Sequence, residues 1–186
     1  MNGEISPREL TWFRKPELYI LEDDRLVLET QPYTSFHSLS YDSTDACGMI
    51  LPQMECFSFS TKIDYQFTHL DEECGLFLKR NNTHWAKAGV ECRKEFLDLS
   101  CTVYEDGYGD RSCRQLGAGI RWLYLRILYW NGNVRFQYSF HGEVYSDMRW
   151  LHFADSSVPV QAGIYACSPG DSSFDCTFSK MKLQKI

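Results

Sequence analysis

The nine residues Trp85-Ala86-Lys87-Ala88-Gly89-Val90-Glu91-Cys92-Arg93 combine side chains that could recognise a polar ligand. In an extended strand, successive side chains alternate between faces. One face then presents Trp85, Lys87, Gly89, Glu91 and Arg93, and the other presents Ala86, Ala88, Val90 and Cys92. The small apolar face suits a packed core. The opposite face gathers an aromatic ring, two cations and a carboxylate, with a glycine leaving room above the backbone. A ring of this kind stacks on the apolar face of a pyranose, and the charged groups hydrogen-bond its hydroxyls. The plainer alternative is that Trp85 caps an edge of the core while Lys87 and Glu91 form a cross-strand ion pair, a common device of small energetic value.

Residues 123–130 repeat the logic, with Leu123, Leu125, Ile127 and Tyr129 on one face and Tyr124, Arg126, Leu128 and Trp130 on the other. Arg126 among aromatics could orient a ligand, or stack on a ring and neutralise Glu91. Other chemistries find less support. The chain contains no Gly-rich phosphate loop, nucleophile elbow or HExxH. Its five histidines are scattered, with His84 alone beside the Trp85 strand. Asp42, Asp45 and Asp71-Glu72-Glu73 could offer calcium oxygens, but their spacing matches no recognised loop. No metal or cofactor is expected.

Strands must position these residues. Residues 57–65 alternate with period two, and residues 75–80 and 85–93 flank a polar turn, giving a hairpin. Residues 97–104 follow. Residues 123–130 and 134–140 flank Asn131-Gly132-Asn133, a hairpin signal because Asn and Gly tolerate positive φ. Two late strands are read at 161–167 and 175–183, and an early one at 25–31 that would pair with the last. About ten strands with regular turns and little helix predict an all-β antiparallel sandwich or jelly roll. Residues 38–56 read as a long loop. No linker, repeat or charge block divides the chain, so residues 1–186 are expected to form a single domain.

Composition narrows the function classes. A net charge of −6 argues against a nucleic-acid or anionic-membrane partner, either of which wants a basic footprint. No apolar run approaches the ~18 residues that a spanning helix needs. The first residues show neither a basic nor an apolar leader region, which predicts a cytoplasmic, reducing setting. The eight cysteines are then expected as free thiols, several of them inside strands as small hydrophobes.

Several segments, taken in order, resemble one family. They are Trp12-Phe13-Arg14-Lys15-Pro16, the hairpin from Cys74-Gly75-Leu76 to Trp85-Ala86-Lys87-Ala88-Gly89-Val90-Glu91, and Leu99-Ser100 through Gly109-Asp110-Arg111-Ser112. Tyr124-Leu125-Arg126, Tyr138-Ser139, Gly142, Arg149 and Gly163-Ile164-Tyr165-Ala166-Cys167-Ser168-Pro169 continue the order. The pattern is similar to the regulation-of-enolase-like family DUF1349, of the concanavalin A-like lectin/glucanase superfamily. The resemblance implies a jelly roll of two curved antiparallel sheets with any ligand on the concave face. It adds Asp110, Tyr138 and Arg149 to Trp85, Lys87, Glu91 and Arg126 as candidate ligand-binding residues. Two positions depart from the family: Arg111 stands where it has tryptophan, and His141-Gly142 where it has Asp-Gly.

Glycoside hydrolysis would need two carboxyl groups about 5–9.5 Å apart. The resemblance brings only Glu91 and Asp110 near one face. Active glucanases of the superfamily carry Glu-x-Asp-x-Glu or Glu-x-Asp-x-x-Glu along one strand, and neither spacing occurs here. Arg93 beside Glu91 should also hold that carboxylate ionised. No catalytic residue is therefore expected. The expected function is non-catalytic binding of a carbohydrate or small polar metabolite. The rivals are a regulatory module with a metabolic-enzyme partner, and a glycoside hydrolase-like enzyme.

Overall fold

Apolar residues at every second position carry through most strands of the structure, a computed structural model that describes residues 2–36, 45–155 and 158–186. Strands are numbered in chain order. One sheet has eight: β13 (Ser146–His152), β12 (Asn133–Ser139), β11 (Trp122–Trp130), β6 (Phe57–Tyr65), β15 (Asp175–Lys185), β4 (Arg25–Glu29) and β3 (Tyr19–Leu21), with β1 (Asn2–Glu4) also on β15. The other has seven: β10 (Tyr108–Gly117), β9 (Phe96–Glu105), β8 (His84–Cys92), β7 (Glu73–Asn81), β14 (Gln161–Cys167), β5 (Cys47–Ile50) and β2 (Thr11–Arg14). Every pairing is antiparallel, and the described residues contain no helix beyond the 3-10 turn Pro7–Glu9.

The two inner faces make one core. Ala86, Ala88 and Val90 of β8 meet the same apolar cluster as Leu123, Leu125 and Ile127 of β11, Phe59 and Ile63 of β6, and Phe178 of β15, all at most 1% exposed. The expected pairing of the early and last strands is present as β4 on β15. Asn131 and Gly132 join β11 to β12 with φ of 46° and 77°. At Gly132 an added Cβ would lie 1.8 Å from the Ala154 carbonyl oxygen, so the turn needs glycine for space as well as for φ.

Six strands exceed the sequence reading. β1, β2 and β3 are short, β10 is almost wholly exposed, and β13 lacks clean alternation, so none announces a buried face. β5 lies inside the stretch 38–56 that reads as loop; residues 38–44 of that stretch, with Asp42, are outside the described residues, as is His37. The eight cysteines are free, and Cys47, Cys74, Cys101, Cys167 and Cys176 are buried.

The passage from β4 to β5 switches sheets and fixes what covers the seven-stranded sheet. Thr30, Tyr33 and Thr34 donate their backbone N–H groups to the carbonyls of Phe174, Gly170 and Ser168 at 3.1, 2.9 and 2.9 Å. The hydroxyls of Thr30 and Ser168 lie 2.6 Å apart, and the Ser168 N–H donates to Thr34 Oγ1 at 3.0 Å. Phe36 is thereby delivered onto the outer face of that sheet, against Phe77 and Tyr165. Asp45 and Ala46, on the returning arm, both donate to the Ser35 carbonyl.

Candidate functional site

The outer face of β8 is built as the alternation requires, and it is covered rather than open. Trp85 is 6% exposed: its ring stacks on Tyr104 of β9 (centroids 5.0 Å, interplanar 10°) and meets Phe36 edge-on at 5.3 Å. With Phe77, Tyr165 and Cys167 these rings form a second apolar cluster on the far side of the sheet from the main core. Lys87 is 2% exposed and lies within this cluster's reach, its ammonium 5.8 Å from the Phe36 ring centre and 5.7 Å from that of Tyr165.

The partner of Lys87 is Glu73 of β7, not Glu91. Lys87 Nζ donates to Glu73 Oε1 at 2.5 Å, Cys167 Sγ to the same oxygen at 3.3 Å, and Tyr165 Oη to Oε2 at 3.5 Å. Register explains the reach. Lys87 stands opposite Phe77, Gly89 opposite Gly75, and Glu91 opposite Glu73. The glycine pair between them leaves the face bare. A Cβ on Gly89 would sit 2.3 Å from the Cys74 carbonyl oxygen and 3.0 Å from the Tyr165 hydroxyl. Burial, then the Glu73 charge, pushes both the Tyr165 phenol and the Cys167 thiol well above their ordinary values.

Glu91 opens a second, more accessible charged cluster beside this one. It accepts from Arg93 at 2.8 Å and from Arg111 of β10 at 2.7 Å. Arg111 also donates to Asp98 of β9 at 2.9 Å, and Arg93 to Asp98 at 3.0 Å. Two carboxylates on adjacent strands, directly opposite each other in register, thus share two guanidiniums. Arg111, bridging both carboxylates from β10, ties the end of the site together.

The carboxyls respond in opposite directions. The ion pair expected with Arg93 is present, but it does not carry the Glu91 carboxyl below its ordinary value. Burial and the nearby Glu73 raise the Glu91 carboxyl above its ordinary value, against the pull of Arg111 and Arg93. For Asp98, burial also opposes the charged form, yet the hydrogen bonds from Arg111 and Arg93 outweigh it and hold the carboxyl below its usual range. A depressed native value stabilises the fold above the unfolded pKa, near 3.9 for Asp, and that contribution fades as pH falls through the lower native value. Asp98→Asn should therefore be less stable than the wild type at pH 7. The gap should narrow below about pH 4, as followed by urea denaturation across pH.

The other predicted residues lie elsewhere. Asp110 and Arg111 are neighbours in one strand and point to opposite faces. Asp110 accepts from Arg149 of β13 at 2.6 Å, a clasp between the two sheets at their β10 and β13 edges. Glu91 and Asp110 are therefore not a facing pair. Tyr138 is buried between the sheets, where its hydroxyl accepts from Arg114 at 2.7 Å. Arg126 lies on the outer face of the eight-stranded sheet, over the Tyr145 ring at 3.9 Å and bonded to Gln137 at 2.8 Å, with both sheets between it and Glu91. The acids considered for calcium also diverge: Asp71 pairs with Arg93, Glu72 is buried against Thr68 and Ser172, and Glu73 holds Lys87. Among the described residues no three His, Cys, Asp or Glu side chains are grouped to hold a metal.

Sequence reasoning missed Phe36, Glu73, Asp98 and Tyr165. Counting back from the 81–84 turn would place Glu73 opposite Cys92; the register shift between Lys79 and Asn81 places it opposite Glu91, so neither this pairing nor the contact of Phe36 was within reach.

Known proteins place this architecture. The family profile described as "Protein of unknown function (DUF1349)" matches residues 12–186. This chain belongs to the DUF1349 family. The DUF1349 chain is 28% identical over 185 residues to "Regulation of enolase protein 1" of Saccharomyces cerevisiae, across 98% of this chain and 91% of that one. A crystal structure of a functionally unknown S. cerevisiae protein superposes with a TM-score of 0.84 at 26% identity, covering 97% and 98% of the two chains. The GH43 protein BlXynB of Bacillus licheniformis superposes at 0.74 with 15% identity, over 96% of this chain and 37% of that one, a likeness of fold alone. No helix among the described residues of the DUF1349 protein is long and apolar enough to cross a membrane.

Proposed function

We propose that this DUF1349 protein is a non-catalytic β-sandwich module that binds a carbohydrate or small polar metabolite on the outer face of its seven-stranded sheet. The ligand would sit beside Trp85, Lys87 and Glu91 and be held by the Glu91, Arg93, Asp98 and Arg111 cluster. One observation carries this reading: a lysine–glutamate pair is buried on the outer side of a sheet, at the foot of an aromatic cover. Removing two charges from water is a poor way to gain stability, and an apolar pair of similar volume often does as well. A preorganised charged floor next to an accessible charged rim is instead what polar-ligand recognition uses. Asp110, Arg149, Tyr138 and Arg126 act in this reading as structural supports.

Isothermal titration against a panel of glycans and sugar phosphates tests it. Arg111→Met should weaken any binding at least tenfold while the fold is retained. Absence of binding across the panel, or affinity unchanged in Arg111→Met, would sink it. The second reading, a regulatory module acting on a metabolic enzyme in the cytoplasm, is favoured by the name of the yeast relative. It predicts capture of an enzyme partner that survives the Arg111 change.

A further inference from the structure

A cleft of about 510 Å³ opens at the end of the sandwich where the β7–β8 hairpin meets the segments 50–54 and 159–162. Its apolar lining includes Leu51, Met54, Pro159 and Val160, and its rim carries Lys79 and Arg80. This volume falls in the range of small-molecule sites.

The two cations are the telling feature. Several other strand cations are held by carboxylates, as Lys62 is by Asp64 and Arg93 by Asp98. Among the described residues, neither Lys79 nor Arg80 has an ion pair or side-chain hydrogen bond. Lys79 is nonetheless half-buried, and loss of hydration lowers its pKa with no carboxylate acting in the opposite direction. The β7–β8 register shifts between Lys79 and Asn81, an irregularity of the kind that re-aims side chains beside sites. Amides of Gln53, Asn81 and Asn82 complete the rim.

We propose that this cleft binds a small organic anion, with an apolar body against Met54, Pro159 and Val160 and its oxyanion group met by Lys79 and Arg80. Lys79 stands opposite Trp85 in the β7–β8 register, so the cleft adjoins the proposed carbohydrate floor at its Trp85 end, but none of Lys87, Glu91, Arg93, Asp98 and Arg111 lines it. A carboxylate and a phosphate monoester share the chemistry that these cations recognise.

Hexanoate and phenyl phosphate, with hexanol and phenol as neutral counterparts, are the probes for calorimetric titration. At least one anion should bind, ten times or more tighter than its neutral counterpart, and more weakly as salt rises. Lys79→Met/Arg80→Met should lower that affinity at least tenfold, while Arg111→Met leaves it unchanged. In NMR spectra the Met54 methyl should shift on binding and the Arg111 side chain should not. Failure of both anions to bind, equal affinity for the neutral probes, or full affinity in the double variant would overturn the proposal.

Discussion

Lys87→Met is expected to destabilise the protein by about 3–5 kcal/mol, the usual cost of removing one partner from a buried ion pair. In a chain of this length that corresponds to a fall in melting temperature of roughly 10 °C. The reason is local. Glu73 is 5% exposed and accepts from Lys87, Tyr165 and Cys167 inside an aromatic enclosure. Methionine keeps the stem volume and deletes the charge, so the loss reports the Glu73 carboxylate left without the Lys87 ammonium. Neutralising both partners in Lys87→Met/Glu73→Gln should recover most of the loss, because the pair itself is worth little against its desolvation. Chemical denaturation of the wild type, the two single variants and the double variant gives the coupling directly. A Lys87→Met variant within about 1 kcal/mol of wild type would show that the pair is solvated, in the range of exposed ion pairs.

Trp85→Ala should cost a similar amount, about 3–5 kcal/mol, as a large aromatic removed from a packed site does. An exposed binding-platform tryptophan would behave differently, since surface changes of that kind stay within about 0.5 kcal/mol. The discriminating contacts are the Tyr104 stack and the Phe36 edge. Trp85→Phe should retain part of the stacking and lose correspondingly less. The same denaturation series reads this out, and near-neutrality of Trp85→Ala would mean that the cover over this face is not packed in solution. Because Trp85 is structural here, its loss cannot serve as a clean test of ligand binding, which is why Arg111 is the better handle.

These expectations also mark how far the sequence could be read. The two faces of residues 85–93 follow from strand periodicity alone, and the inner face packs as its small apolar residues require. The Asn131-Gly132 turn was equally legible, because positive φ is a local signal. What periodicity cannot supply is the sheet to which a strand belongs. Arg126 lies on a correctly assigned strand face, yet that face looks out from the opposite sheet. Partner choice across strands is a matter of register, so Lys87 was matched with Glu91, its neighbour in sequence, instead of Glu73, fourteen residues away. The cover was invisible for a different reason. Phe36 ends the described stretch 30–36, which holds no strand, and nothing in its neighbours shows that hydrogen bonds to residues 168–174 carry it across the sheet. β10 was missed as a strand because an edge exposed on both faces has no apolar alternation, yet it contributes Arg111.

The substitution at Arg111 then takes on a definite meaning. Where an aromatic wall was expected from the family pattern, a guanidinium bridges Glu91 and Asp98 and leaves a charged rim about one-third exposed. A ligand of this DUF1349 protein should on that account be held more by polar contacts than by stacking. Its affinity should fall with added salt if it carries a phosphate.

Ligand binding at the Arg111 rim is tested most directly by side-chain NMR of Arg111 and the Trp85 indole during titration with the tightest-binding glycan or sugar phosphate. Saturable shifts are expected at both groups, with the Arg126 guanidinium unmoved. Saturable binding that leaves Arg111 and Trp85 unshifted would contradict it.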